Sequence, residues 1–189
     1  MPPIPAAQMT PDQRAAAEEV ASGRRGALIG PFIPAVRSPE FMRRLQRLGE
    51  YLRYDNALPR KLSEMAILLT ARTWMQEFEW HVHAPIARQA GLSEQTIDAI
   101  AAGRRPPGMM AEEAVVHAFF EELQTSRTVG DATYGRALAA FGEAGVIDLV
   151  GIIGYYSTLA MIMNVARTPA PEGTPLTFSE GTTHRGEMD

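Results

Sequence analysis

Between Ala144 and Arg167 the chain runs for about six turns of helix with few polar side chains. A helix that is apolar nearly all round must be covered on more than one side. Its neighbours have to be helices too, because no β-alternation of useful length occurs in the chain. Asp148, Gly151, Gly154, Ser157 and Asn164 interrupt the stretch, and no unbroken apolar run reaches the roughly 18 residues that span a bilayer. A buried helix is therefore expected, not a membrane span. Its apolar surface also exceeds what one side of a small monomer readily covers, which predicts a homo-oligomer.

The remaining punctuation fits an all-α chain of about eight helices. Thr10 and Pro11 open the first as N-cap and first helical residue, and Gly23 with Gly26 closes it. Ser38 and Pro39 open a second, with Phe41, Leu45, Leu48 and Leu52 at helical spacing. Leu62 to Thr73 is a third, with Ser63 as its cap. Met75 to Ala90 is a fourth, ended by Gly91, with a kink or break expected at Pro85. Further helices are expected from Ser93 to Ala102, over 111–127, over 131–142 and over 144–167. Three regions follow: an N-terminal arm and helix (1–27), a central helical domain (28–168) and a Pro/Gly/Thr-rich tail (169–189), extended or flexible.

Composition removes several classes of function. A net charge of −4 and a pI near 5.6 do not suit a nucleic-acid-binding face. The chain contains no cysteine, so it forms no disulfide, thiolate metal site or thiol nucleophile of its own. The N-terminus has neither the basic region nor the apolar core of a secretory signal, and a cytoplasmic location is expected.

Chemistry concentrates in Gln76-Glu-Phe-Glu-Trp-His-Val-His83. On a helix, Gln76, Glu79 and His83 share one face within about 60°. Carboxylate beside imidazole is the pairing that moves protons near neutral pH, and Glu79 stands one turn before His83. Glu77 points to the opposite side and reads as a solvent charge. Trp80 reads as core or pocket wall. His81 cannot share a helical face with His83, so no metal site is expected. His117 has no acidic partner at the most useful spacing and reads as core or surface. Glu64 sits near the start of its helix, where the dipole favours a carboxylate. Arg72 can grip a substrate carboxylate or pair with Glu64 or Glu77. One hydroxyl of the Tyr155-Tyr156 pair is a candidate to reach the polar cluster.

These residues resemble the carboxymuconolactone decarboxylase family of the alkylhydroperoxidase D-like superfamily. The resemblance rests on Leu62-Ser-Glu-Met-Ala-Ile-Leu and on Glu77-Phe-Glu-Trp-His-Val-His-Ala-Pro-Ile-Ala-Arg-Gln-Ala-Gly-Leu-Ser. It extends through Gly30-Pro31-Phe32, Leu58-Pro59 and Phe141 to Asn164, about residues 28–168. In the peroxidase branch a Glu precedes Cys-x-x-Cys and a His; laid on this chain they fall on Glu64, Gln76, Glu79 and His83. Both sulfur positions are lost, so thiol peroxidase activity is rejected. What the resemblance implies is a cofactor-free carboxy-lyase acting on a small unsaturated carboxylated lactone or related acid. Its catalytic set would be His83, Glu79 and Glu64, its substrate-binding set Gln76, Trp80, Arg72, Phe32 and Tyr155. A homotrimer or hexamer is also implied, with no nucleic-acid or membrane partner. An isomerase, hydrolase or ring-opening enzyme could use the same residues, and a non-catalytic helical oligomer could hold them as a buried network.

Overall fold

Ten consecutive residues, Leu62 to Ala71, are buried in one helix. That helix is the axis of the molecule. The computed structural model of the chain describes residues 1–178. Its α-helices are α1 (Pro11–Ser22), α2 (Phe32–Ala35), α3 (Pro39–Tyr54), α4 (Arg60–Thr73), α5 (Glu77–Gln89), α6 (Glu94–Ala101), α7 (Ala111–Ser126) and α8 (Asp131–Ala166). A 3-10 turn, Ala6–Gln8, precedes them, and no strand occurs among the described residues. The expected all-α fold of about eight helices is thus observed.

α4 packs against α5, α6, α7 and α8, which is why it is buried all round. Leu62, Met65 and Leu68 are sealed from solvent, each burial stabilising the fold by about 1.5–3 kcal/mol. α1 lies on α3 with Ala16 and Val20 fully buried, so α1 shares the common core. Thr10 accepts from the Gln13 amide while Gln13 reaches back to the Thr10 amide, completing a capping box.

α8 is two helices. Gly142 has φ 68° and ψ 177°, a left-handed break that separates 131–141 from the apolar run beyond. By length and composition α8 could cross a membrane, with a mean hydropathy of 1.7 over its most apolar window. Its inner side fills the core through Leu149, Ile152, Ile153, Leu159 and Met163. Its outer side is open, with Ile147, Val150, Met161 and Val165 exposed. On α3, likewise, Leu45 and Leu52 are buried, whereas Phe41 and Leu48 face outward despite their helical spacing.

Three local expectations are corrected. α4 starts at Arg60 behind Pro59, so Ser63 is buried inside it and donates to Asn56 Oδ1 at 3.1 Å instead of capping. Pro85 sits on the exposed side of α5, and the helix runs through it without a break. Glu77 is no solvent charge: its carboxylate accepts from the amides of Thr177 (3.0 Å) and Phe178 (2.7 Å). Those bonds tie down the tail as far as Phe178, whose ring is buried against Trp80 with centroids 5.2 Å apart. Residues 179–189 of the expected tail lie outside the described residues.

Candidate active site

Glu64 is the fifth residue of α4, facing α5. Its Oε2 lies 2.7 Å from Nδ1 of His83, with both side chains almost wholly buried. The tautomer with a proton on Nδ1 donates to the carboxylate and leaves Nε2 for chemistry. Nε2 is neither bonded nor sealed among the described residues. The Tyr156 ring stands edge-on to the imidazole, centroids 5.0 Å apart, and fixes its plane.

The expectation that Glu79 orients His83 is therefore corrected. Helical spacing identifies neighbours on one helix, but the partner comes from across the α4–α5 contact. Glu79 has a different character. It is 3% exposed, and neither carboxyl oxygen has a hydrogen-bond partner among the described residues. Burial pushes its pKa well above the ordinary 4.5, which favours the protonated form that can donate a hydrogen bond.

Glu79 and His83 line a cavity of about 40 Å³. Ile29, Pro31, Phe32, Val82, Leu159 and Met163 give it apolar walls, and Arg25, Arg53 and Tyr156 add polar groups. Burial, and next the negative charge of Glu64, push the Tyr156 hydroxyl well above its ordinary pKa, which keeps its proton in place. The Arg53 Nε is buried without a partner among the described residues. Arg25 is held by Gln46 Oε1, by the Tyr155 hydroxyl at 3.0 Å and by the Phe32 ring, 4.5 Å beneath its guanidinium. Gly49 makes that arrangement possible: a Cβ there would lie 1.9 Å from the Tyr155 hydroxyl and 2.7 Å from Arg25.

The other expected binding residues divide. Phe32 lines the cavity. Tyr155 does not; its hydroxyl accepts from Arg25, burial raises its pKa to about 12, and its neighbour Tyr156 takes the wall position. Gln76 is the N-cap of α5, accepting from the Phe78 amide at 2.8 Å and donating to Asn164 at 2.7 Å. Trp80 is core. Arg72 pairs with neither Glu64 nor Glu77. Its Nε donates to the Ala101 carbonyl at 2.8 Å, and it lines a different cavity. Arg25 and Arg53 were missed because a loop arginine and a helix-end arginine carry no signal until the fold brings them together.

Residues 39–122, from α3 through most of α7, match the model of the carboxymuconolactone decarboxylase family. The likeness to that family holds. The segment includes Arg53, Glu64, Glu79 and His83. Two solved structures share the fold. One is an uncharacterised peroxidase-related protein from Ralstonia eutropha JMP134 with an alkylhydroperoxidase AhpD core. It is 16% identical with a TM-score of 0.73, over 91% of this chain and 92% of that one. The other is an Agrobacterium tumefaciens protein of unknown function, described as a candidate antioxidant-defence protein AhpD. It is 20% identical with a TM-score of 0.62, over 72% of this chain and 94% of that one. At these identities the likeness is one of fold. No match was found among curated proteins.

Proposed function

We propose that this protein is a proton-transfer enzyme of the decarboxylase type, acting without a cofactor on a small unsaturated carboxylated lactone or related acid. One observation carries the reading: the Glu64–His83 pair faces a cavity that is also lined by a buried, unpaired carboxyl and two guanidinium groups. The retained carboxylate of the substrate pairs with Arg25 and Arg53. The departing carboxylate sits against Phe32, Leu159 and Met163, where desolvation favours loss of its charge as CO2. As the C–CO2 bond breaks, its electron pair moves into the conjugated carbonyl and forms a dienolate. Glu79 donates a hydrogen bond to the dienolate oxygen, and His83, having taken up a proton from water at Nε2, returns it to carbon. Glu64 keeps the imidazolium oriented throughout.

The cavity volume sets a condition. About 40 Å³ holds a water or two and not a lactone, so substrate entry moves the 29–32 segment or Phe78 outward. Gly30, with φ +55°, lies in that segment, and its missing Cβ leaves room for the Phe78 ring. Thiol peroxidase chemistry has no place here, since no cysteine exists to carry it. We further place the protein in the cytoplasm as a homo-oligomer, trimer or hexamer, closed through the exposed apolar sides of α3 and α8.

A panel of unsaturated lactone acids, followed by CO2 release and loss of conjugated absorbance, tests the reading. Turnover of one member that requires His83 supports it. Isomerisation, hydrolysis or ring opening of a panel member without CO2 release would keep the acid–base site and replace the reaction.

A further inference from the structure

A second cavity, about 320 Å³ in volume, lies between the C-terminal ends of α4 and α6 and the middle of α7. Three arginines, Arg72, Arg104 and Arg105, line it together with His117 and Glu121. On a chain with net charge −4, three guanidiniums against one carboxylate is a local reversal of sign. None of the three forms a salt bridge among the described residues. Arg72 is also fixed in place: Nε donates to the Ala101 carbonyl at 2.8 Å, Nη1 contacts the Met75 sulfur at 2.7 Å, and the guanidinium lies 5.4 Å from the Phe178 ring centroid. A Cβ at Gly103 would come within 2.8 Å of its Nη2, so the glycine leaves the space that Arg72 fills.

His117 supplies an independent observation. It is 95% buried by its 5% exposure, and its Nδ1 has no hydrogen-bond partner among the described residues. Burial lowers its pKa first; Glu121, one turn on, opposes this, and Arg105 adds to it. Its other nitrogen, Nε2, is neither sealed nor bonded among the described residues, and on a side chain that lines the cavity it can meet a polar group there. Leu69, Ile100 and Phe120 make the remaining wall apolar.

We propose that this cavity binds a small ring-bearing carboxylate anion, its carboxylate on the arginines, its ring against Phe120 and Ile100, and a polar group on His117. The site is independent of the chemistry assigned to His83. Calorimetric titration of the full chain with benzoate, at low salt, should show saturable binding at about millimolar affinity or tighter. Inorganic phosphate, which leaves the apolar wall unused, should bind more weakly. The double variant Arg104→Gln/Arg105→Gln changes two exposed side chains and should weaken benzoate binding about tenfold or more. The variants His83→Gln and Arg53→Gln, which alter only the other cavity, should bind benzoate as the parent does. In the parent, ¹⁵N resonances of the His117 imidazole should move with benzoate saturation. Absence of saturable binding, unchanged affinity in the double variant, tighter binding of phosphate, loss of binding in the His83 or Arg53 variants, or a stationary His117 signal would each overturn the assignment.

Discussion

Glu79→Gln changes the electrostatics of the cavity while keeping its shape, and its effect on stability can be worked out in sign and slope. Burial without a partner raises the pKa of Glu79 well above 4.5 in the folded protein and favours its protonated form. The unfolded chain ionises the same group near that ordinary value. Between the two pKa values the native state binds one proton that the unfolded state has released. Stability therefore falls as pH rises across this window, by about 1.4 kcal/mol per pH unit. The contribution is complete below the unfolded value and is lost as pH climbs through the folded one. An amide does not titrate, so the stability difference, variant minus parent, should climb with that slope. The growth should begin above the ordinary carboxylate range and continue until the folded protein itself releases the proton. Urea unfolding at fixed protein concentration, read by far-UV circular dichroism at several pH values, measures it. The comparison cancels the other titrating groups, which both proteins share. Parallel stability curves would mean that Glu79 is ionised in the folded protein, and its role as neutral hydrogen-bond donor would fall with that result.

With a substrate in hand, His83→Gln should cut turnover by about 10²–10⁴-fold with the circular dichroism spectrum intact; turnover at the parent rate refutes the proton-transfer role. Arg53→Gln should raise KM about tenfold or more with a smaller change in kcat, if its guanidinium holds the retained carboxylate; an unchanged KM removes it from binding. Gly49→Ala should destabilise by about 1–3 kcal/mol, since its Cβ would lie 1.9 Å from the Tyr155 hydroxyl, and a thermal melt equal to the parent's would contradict the close approach. Light scattering at micromolar concentration should return a multiple of the 20.7 kDa chain mass, and a monomer would reject the use of α3 and α8 as interfaces.

What the sequence disclosed follows the range over which its signals act. Caps and breaks are local, and they read true at Thr10-Pro11, at Ser93, whose side chain accepts from the Thr96 amide, and at Gly142. Which helix lies at the centre is a matter of packing. The apolar run in α8 reads as a buried helix, yet α4 is the one buried all round, and α8 keeps an exposed apolar side. The site shows the same division. Glu64, Glu79 and His83 could be named, but the ring partner of His83 comes from another helix. Arg72 was drawn off by the Ala101 carbonyl, while Arg25 and Arg53, with no motif around them, supply the cations. His117 shows a plain oversight in spacing. Glu121 stands four residues on, and burial outweighs it in setting the state of the ring.

The choice between an enzyme and a structural network turns on Glu79 more than on the Glu64–His83 pair. A buried carboxylate and imidazole 2.7 Å apart satisfy one another, and such a pair can serve packing specificity alone. Glu79 has no such settlement: two sealed oxygens go without a partner among the described residues, and leaving a buried polar group unpaired costs about 1–3 kcal/mol. A methionine or leucine would fill the same volume without that penalty. A network built for stability pairs its members, whereas a site built for reaction keeps one group unsatisfied until the substrate arrives. Glu79 is that group, and it borders the cavity that His83 also lines. The pH slope of Glu79→Gln bears on this directly, because a carboxyl held ionised by a buried cation would not produce it.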